Sequence, residues 1–476
     1  MARSFLLLVL SAVVATAPAQ TVPDAITGQR VACTDGTAAG YACTGVDLMA
    51  FLPRTDFGAG SLNDIWGWVD PTDGREYALV GLNNGTAFVD VTDAVNPVHL
   101  GTLPTHTTAT SWRDVKVYAD HAFVVSEATD HGLQVFDLTQ LRDVDRAAAP
   151  VTFEETAYYD GFGRAHNVVI NEDTGFLYGV GSRPLGTPSG PSCGPGLHMV
   201  DIQDPADPTF AGCFDDHGYT HDAQCVVYQG PDADYLGQEI CIGSNVNVLS
   251  VADVTDKQNP VPIATGSYPT SSYIHQGWFT EDQRYFFLND ELDQGPTRTL
   301  VFDLTDLDDP QLLTEFIAET TSQDHNLYVV GNYVFQANYT AGLRILEFQY
   351  DDGALDPASL REVALFDTFP QSDARGYSGL WSVYPFFPSG NVVASDIGGG
   401  LFVLQPTAIT TAVDEEPAAV PAGFALAAAY PNPFNPQTTV MLAVDRAQPI
   451  RVAVYDALGR EVARLHEGPL AAGTHR

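Results

Sequence analysis

The sequence predicts an all-β fold: a seven-bladed β-propeller closed by an N-terminal strand and followed by a small, incomplete β-sandwich. Two observations carry this prediction. A phrase of the form Gly-x-Ala/Leu-x-Val-x-Asp-Val/Leu-Thr-Asp returns about every fifty residues, and such a fixed period is typical of repeat architectures. Each period also holds four short apolar segments separated by Gly, Pro, Asn and Asp, as antiparallel strands joined by turns are. The clearest copies are Gly85–Asp93, Gly132–Thr139, Gly196–Asp204, Val246–Asp256 and Thr299–Asp306.

The number of blades follows from the starts of the first strands, which recur at intervals of 50 to 55 residues. These starts align at Asn63, Arg113, His166, His221, His275, His325 and Gly379. Only six fourth strands follow, and they are predicted at Val98–Leu103, Val151–Thr156, Thr209–Phe214, Val261–Gly266, Gln311–Phe316 and Arg361–Phe366. The seventh repeat stops after its third strand, at Gly400–Gln405. We expect Val46–Leu52 to supply the missing strand, because that pairing closes the ring and removes its free sheet edges.

The two ends of the chain predict export and further segments. Arg3, the apolar stretch Phe5–Ala15 and the small residues Ala17-Pro18-Ala19 are typical of a secretory signal peptide over 1–19. No later stretch is long enough to predict a membrane-spanning helix, so we expect an extracellular or outer-membrane surface location. The remaining division is an N-terminal segment with a cysteine pair (20–45), the propeller (46–406), a linker (407–426) and a partial β-sandwich (427–476).

The six cysteines fall into three sequence-local pairs, and export makes disulfides the favoured state. The predicted pairs are Cys33 with Cys43, Cys193 with Cys213, and Cys225 with Cys241. Zinc binding is the alternative, and the absence of a Cys-x-x-Cys pair argues against it.

The chain is strongly acidic, with 60 acidic against 21 basic residues and a net charge of −39. Such a surface repels nucleic acid and anionic membranes, so we expect no nucleic-acid partner. It would attract divalent cations, although solubility in a salty environment is the simpler interpretation because the acids are spread over turns.

Polar side chains cluster at the starts of the first strands. Because the first strand of each propeller blade lines the central channel, we expect them to converge on one mouth of it. Imidazoles and carboxylates at one opening can bind a metal or a polar ligand. The candidate ligand-binding residues are Asp64, Arg113, Asp114, Glu127, His166, His221, Asp222, His275, His325 and Asn326. The alternative is structural: these groups would hydrogen-bond turn residues such as Asp93, Asp204 and Asp306.

A calcium ion is the one candidate cofactor. Asp290, Glu291 and Asp293 offer carboxylate oxygens, the ligands that Ca²⁺ prefers. The spacing is not that of an EF-hand, and acidic residues in a turn often serve the backbone instead.

Catalysis has little support in the sequence, because no Gly-x-Ser-x-Gly or other nucleophile motif is present. The leading hypothesis is a binding or scaffold module with an unknown extracellular ligand. The alternative is an extracellular hydrolase or lyase that uses the same polar ring, with or without a metal.

Five tryptophans lie on or beside first strands, where they are predicted to pack between blades or to line a sugar-binding mouth: Trp66, Trp68, Trp112, Trp278 and Trp381.

The C-terminal segment resembles the sorting domain of type IX secretion cargo. The resemblance is carried by Tyr430-Pro-Asn-Pro-Phe-Asn-Pro-Gln-Thr-Thr439 and by Val452-Ala-Val-Tyr-Asp-Ala-Leu-Gly-Arg-Glu-Val462, with Gly473-Thr474. It implies that the type IX secretion machinery is a partner and that the cargo is released or anchored at the surface. The segment stops before that family's last strands, so the predicted sandwich is incomplete.

Residues 33–406 resemble the choice-of-anchor B family of surface proteins, whose members carry LVIVD-type repeats. The matching motifs include Asn63-Asp-Ile-Trp-Gly-Trp68, Ser111-Trp-Arg-Asp-Val-Lys-Val117, Tyr219-Thr-His-Asp-Ala-Gln-Cys225, His275-Gln-Gly-Trp278, Asn289-Asp-Glu-Leu-Asp293 and Asp324-His-Asn-Leu327. This resemblance implies an extracellular surface location and brings no established chemistry with it.

Overall fold

The computed structural model of the chain describes residues 23–183, 193–409, 425–426, 442–444, 448–455, 461–470 and 473–475. It confirms the predicted all-β fold with seven propeller blades. The first strand of every blade contacts the first strands of both neighbouring blades, so the seven first strands form a closed ring around a central channel. Each blade is an antiparallel sheet whose inner strands are largely buried; the fourth strand of blade 5, for example, is more exposed, whereas that of blade 7 is buried along most of its length.

Blades 1 to 3 follow one another along the chain. Blade 1 comprises Leu62–Val69, Glu76–Leu82, Gly85–Asp90 and Val98–Pro104. Blade 2 comprises Arg113–Tyr118, His121–Ser126, Leu133–Asp137 and Ala157–Tyr159, and blade 3 comprises Asn167–Asn171, Phe176–Val180, Leu197–Asp201 and Thr209–Phe214.

Blades 4 to 7 complete the ring. Blade 4 comprises Asp222–Val227, Glu239–Ser244, Leu249–Asp253 and Val261–Gly266, and blade 5 comprises Ile274–Phe279, Tyr285–Asp290, Arg298–Asp303 and Gln311–Ile317. Blade 6 comprises Asn326–Val330, Tyr333–Ala337, Leu343–Asp351 and Ala354–Phe366. Blade 7 comprises Leu380–Tyr384, Val392–Asp396, Gly400–Pro406 and the N-terminal strand Val46–Pro53.

The predicted closure of the ring is confirmed. Val46–Pro53 pairs antiparallel with Gly400–Pro406, and Phe51 lies opposite Phe402. Their ring centroids are 4.6 Å apart and both side chains are buried. The last blade therefore consists of three strands from one end of the propeller sequence and one from the other, which ties the two ends together.

The repeated phrase has a local physical reason. Its first Asp ends the third strand, and the carboxylate accepts a hydrogen bond from the amide two residues later. The distance is 3.0 Å from Asp90 to the Thr92 amide and 2.8 Å from Asp253 to the Thr255 amide. The threonine hydroxyl in turn accepts a hydrogen bond from the start of the second strand, as Thr255 does from the Glu239 amide. The phrase thus terminates a strand and joins two strands within one blade.

One predicted strand is wrong. The sequence predicts Val151–Thr156 as the fourth strand of blade 2, but Val151–Thr152 pairs in parallel with the fourth strand of blade 1, at Gly101 and Thr102. Ala157–Tyr159 takes the predicted place beside Leu133–Asp137. The reason is the burial of Phe153, whose ring lies 5.6 Å from that of Phe88 and 4.8 Å from that of Phe136. The apolar run predicts a strand, but it cannot indicate which of two adjacent sheet edges the strand joins.

All three predicted disulfides are confirmed: Cys33–Cys43, Cys193–Cys213 and Cys225–Cys241. The last joins directly opposed residues on the first two strands of blade 4. The N-terminal segment is itself ordered onto the propeller. Its strand Tyr41–Thr44 extends blade 6, and the short strand Thr37–Ala38 pairs with it.

The C-terminal residues form two small sheets. Ala425–Leu426, Leu442–Val444 and Gly473–His475 make one, and Gln448–Tyr455 with Glu461–Leu470 makes the other. The predicted signal peptide, most of the predicted linker and the Tyr430–Thr439 motif lie outside the described residues. A search of the described residues for helices with the length and apolar character of a membrane span finds none.

Candidate functional site

The seven first strands place equivalent residues in three layers along the channel. The outermost layer consists of Asn63, Arg113, His166, His221, His275, His325 and Trp381. One residue later comes a middle layer of Asp64, Asp114, Asn167, Asp222, Gln276, Asn326 and Ser382. Two residues beyond that lie Trp66, Lys116, Val169, Gln224, Trp278, Tyr328 and Tyr384. At about 3.3 Å per strand residue, the first and last layers are separated by about 10 Å.

Four imidazoles from consecutive blades form what we call the histidine mouth: His166, His221, His275 and His325. Successive ring centroids are 4.4, 4.2 and 4.4 Å apart. The last three rings are buried, whereas His166 is partly exposed. The sequence prediction that these histidines converge agrees with this arrangement.

Hydrogen bonds to the next blade orient two of these four rings. The Nδ1 atom of His221 donates to the carbonyl oxygen of His275 over 3.0 Å, and that of His325 donates to the carbonyl oxygen of Trp381 over 2.6 Å. Because a carbonyl can only accept, Nδ1 carries the proton in both rings and Nε2 keeps its lone pair. The Nδ1 atom of His166 instead lies 2.7 Å from Oε1 of Glu127.

Burial keeps the inner imidazoles neutral at physiological pH. It lowers the pKa of His325 to about 4 and holds the pKa values of His221 and His275 well below the usual range. Neighbouring imidazoles add to the effect at His221 and His275, because each would repel a second positive charge. Neutral imidazoles are able to accept hydrogen bonds or coordinate a metal.

Glu291 faces the histidine mouth, and the other two predicted calcium ligands do not join it there. The Tyr339 hydroxyl donates to Oε1 of Glu291 over 2.8 Å, and burial raises the pKa of this carboxyl. Asp290 accepts hydrogen bonds from the amides of Ser272 and Tyr273, and Asp293 forms an ion pair with Arg298. The calcium site at Asp290, Glu291 and Asp293 stays a prediction.

A buried charge cluster joins Lys116 of the third layer to two carboxyls of the middle layer. The Nζ atom of Lys116 lies 2.6 Å from Oδ1 of Asp114 and 3.5 Å from Oδ2 of Asp64. Burial favours neutral carboxyls, and it raises the pKa of Asp114 well above its usual range. At Asp64 the Lys116 ammonium and the hydrogen bonds outweigh burial, so the pKa lies below its usual range. The cluster therefore places one ammonium beside two buried carboxyls whose pKa values are shifted in opposite directions.

Side chains of the middle layer also connect adjacent blades. Oδ2 of Asp114 accepts a hydrogen bond from the Val168 amide over 2.7 Å. The Asn167 amide group donates to the carbonyl oxygen of His221, and that of Asn326 donates to the Ser382 hydroxyl. These polar side chains therefore do have a structural role, as the alternative interpretation of the sequence predicts. Their hydrogen-bond partners, however, lie on neighbouring first strands and not in turns. The turn residue Asp204 instead accepts a hydrogen bond from the Ala206 amide within its own turn.

The third layer lines what we call the aromatic cavity, a volume of about 690 Å³ at the channel end opposite the histidine mouth. Its aromatic residues are Trp66, Trp68, Tyr118, Trp278, Tyr328, Tyr384 and Phe386, and its polar residues include Lys116, Asp222, Gln224 and Gln276. Trp66 lies 5.1 Å from Tyr384, Trp278 lies 5.1 Å from Tyr328, and the Lys116 ammonium is 4.5 Å from the Trp66 ring centre. Volumes of 300–1,000 Å³ are typical of small-molecule sites.

Two glutamine side chains in the aromatic cavity use their carboxamide oxygen in a hydrogen bond within the protein but not their NH₂ group. The Oε1 atom of Gln224 accepts a hydrogen bond from the Phe279 amide, and that of Gln276 accepts one from the Leu327 amide, each over 2.8 Å. Their NH₂ groups form no hydrogen bond with any described residue. One oxygen of the Asp222 carboxyl group is held in the same way, because Oδ1 accepts a hydrogen bond from the Ala223 amide over 2.7 Å.

The structure does not bring Arg113 to the histidine mouth. Its guanidinium is buried between blades 1 and 2, where it donates to the carbonyl oxygen of Leu82 and to the Thr105 hydroxyl. Sequence reasoning also missed Lys116, which is one of only two lysines in the chain. That rarity, together with its position three residues after a first-strand start, was the signal that could have identified it.

The buried carboxyl of Asp222 should make the free energy of unfolding depend on pH. Burial raises its pKa to about 7, whereas an unfolded Asp titrates near 3.9. A raised folded-state pKa stabilises the fold at low pH, and this contribution is lost as the pH rises from about 4 to about 7. Asp222→Asn should therefore be more stable than the wild type at pH 8, relative to pH 5, by about 2.5 kcal/mol. Urea unfolding at both pH values measures the difference, and Asp160→Asn, at an exposed carboxylate, is the control. An equal pH response of wild type and Asp222→Asn would refute the assignment.

No family model and no curated protein matches the chain. Solved structures that match it include the β-propeller domain of Cps50 (Swd1) from Myceliophteria thermophila, with 10% identity, 73% of this chain and 98% of that chain covered, and a TM-score of 0.44. The WD40 β-propeller domain of Doa1 has 10% identity, coverages of 77% and 97%, and a TM-score of 0.45. Hydrazine synthase of Kuenenia stuttgartiensis has 13% identity, coverages of 71% and 93%, and a TM-score of 0.46. These similarities concern the fold alone.

Proposed function

We propose that the protein is a secreted or cell-surface binding module that holds a carbohydrate in the aromatic cavity. The location is supported by the apolar N-terminal stretch Phe5–Ala15, by three disulfides, and by the resemblances to choice-of-anchor B proteins and to type IX secretion cargo. Export through the type IX secretion machinery belongs to the same proposal.

The residues that line the cavity are the main evidence that its ligand is a carbohydrate. Indole and phenol rings offer flat apolar faces, which suit the C–H face of a sugar ring. Beside them, the NH₂ groups of Gln224 and Gln276 and the carboxyl of Asp222 are available to hydroxyl groups. A polyhydroxylated ligand with an apolar face uses both kinds of group, whereas a purely apolar ligand would leave the polar groups without partners.

The proposal is tested with the fluorescently labelled full chain on an array of neutral and acidic oligosaccharides. We expect saturable binding to a restricted set of glycans and competition by the same glycans in solution. Acidic glycans should bind less well than their neutral counterparts because the net charge of the chain is −39. Uniform background across the array would overturn the carbohydrate proposal.

An extracellular hydrolase or lyase is the second candidate, and one observation favours it. The Asp222 carboxyl lines the cavity with a pKa raised by burial to about 7, which is suited to proton transfer at neutral pH. The cavity would be catalytic if the wild type cleaves a glycan and Asp222→Asn still binds that glycan but no longer cleaves it. Binding without cleavage in both proteins would assign it to recognition.

A further inference from the structure

The histidine mouth contains donor atoms that the fold does not use. Among the described residues, one nitrogen of His275, one nitrogen of His325 and one carboxylate oxygen of Glu291 all lie within 4.8 Å of one another. We propose that these three side chains bind a first-row divalent transition-metal ion such as Zn²⁺. The site lies at the channel end opposite the aromatic cavity, so the proposal does not depend on carbohydrate binding.

The hydrogen bonds of the two imidazoles support their role as ligands. Nδ1 of His325 donates to the Trp381 carbonyl over 2.6 Å, so Nε2 retains a free lone pair. Such a hydrogen bond to a backbone carbonyl fixes the orientation of metal-binding histidines. The His275 side chain is 2% exposed and its ring lies beside the His325 backbone, but its Nδ1 forms no well-aligned hydrogen bond with a described residue. A buried polar atom without a partner is destabilising, so a metal bound through this nitrogen would stabilise the site.

Glu291 is held in a comparable way. The Tyr339 hydroxyl donates to its Oε1 over 2.8 Å, which leaves Oε2 without a hydrogen bond to the described residues. An orienting hydrogen bond of this kind to a ligating carboxylate is a regular feature of metal sites. The ring of Tyr339 also packs 4.5 Å from that of His325, so one tyrosine positions two of the three ligands.

The donor set determines the class of metal. Two imidazoles and one carboxylate suit Zn²⁺ and its first-row neighbours, whereas Ca²⁺ and Mg²⁺ take oxygen ligands. A tetrahedral ion with bonds of about 2.0–2.1 Å keeps its ligand atoms about 3.4 Å apart, so the side chains must close slightly on the ion. The ring centroid of His221 lies 4.2 Å from that of His275, so His221 is the nearest further imidazole that could complete the coordination.

The test uses the full chain, stripped of metal with a chelator, and titration calorimetry with ZnCl₂. We expect one Zn²⁺ per wild-type chain. Glu291→Gln keeps an oxygen for the Tyr339 hydroxyl but loses the charged ligand, so its affinity should fall at least tenfold. Glu155→Gln is the matched control, because Glu155 also contacts a histidine, His106, over 3.0 Å but lies outside the mouth. Its affinity for Zn²⁺ should stay within twofold of the wild type.

A second measurement does not depend on the folding of any variant. Co²⁺ bound by nitrogen and oxygen ligands in a four- or five-coordinate site has an intense visible absorption, and Zn²⁺ should displace it at one equivalent. No stoichiometric binding of either ion to the wild type would overturn the proposal. Equal Zn²⁺ affinity in wild type and Glu291→Gln, or an equal loss in Glu155→Gln, would do the same.

Discussion

Replacing Lys116 with methionine should lower the free energy of unfolding by about 3–5 kcal/mol, because removing one partner of a buried ion pair leaves the other charge uncompensated. The side chains of Asp64 and Asp114 are only 5% and 3% exposed. In the wild type the ammonium lies between them and also over the Trp66 ring. Chemical unfolding at pH 7 measures the effect.

The control for Lys116 removes the carboxylates as well. A Lys116→Met, Asp64→Asn, Asp114→Asn triple variant carries no charge at these three positions, so it should recover part of the stability that Lys116→Met loses. A single variant as stable as the wild type would contradict the account of the charge cluster. A triple variant that is no more stable than Lys116→Met would contradict it as well.

Phe51→Ala should cost about 3–5 kcal/mol, as truncation of a fully buried phenylalanine does. Phe51 is 0% exposed and packs against Phe402 and Tyr41 within the strand pair that closes the ring. The loss should appear as early amide exchange along Val46–Pro53 and Gly400–Pro406, because these strands join the two ends of the propeller.

Phe210 is the matched control for Phe51. Its side chain is 38% exposed on the fourth strand of blade 3, and Phe210→Ala should change stability by no more than about 0.5 kcal/mol. If the two alanine variants were equally stable, the closing strand would not hold the ring together.

The ring was predictable because its signals are local and repeated. The Asp that ends the third strand of blades 1 to 5, as Asp90 and Asp253 do, accepts a hydrogen bond from an amide two residues away, so its spacing appears directly in the sequence. The closing strand was predictable for a different reason: a seventh blade without a fourth strand leaves an open sheet edge. The sequence pattern assigns the strand Val151–Thr152 to the wrong blade, because the sheet edge that it joins depends on where Phe153 is buried, and the pattern does not contain that information.

The candidate site was only partly predictable. The four histidines converge because they occupy equivalent positions in neighbouring blades, which the alignment of first strands indicates. The alignment does not show that Arg113, at the same position in blade 2, turns away to Leu82 and Thr105. Nor does it separate the histidine mouth from the aromatic cavity. That separation arises from the rise along each strand, which carries Lys116, Trp278 and Tyr328 to the other end of the channel.

The central claim is that the aromatic cavity binds carbohydrate, and calorimetry with the strongest oligosaccharide from the array tests it most directly. Trp278→Ala removes a partly exposed ring of the cavity wall, whereas Trp112→Ala removes an indole that is 44% exposed beside a first-strand start at the other end of the channel. We predict at least a tenfold loss of affinity for Trp278→Ala, which corresponds to about 1.4 kcal/mol, and less than twofold for Trp112→Ala. Unchanged affinity in Trp278→Ala, or an equal loss in Trp112→Ala, would contradict the claim.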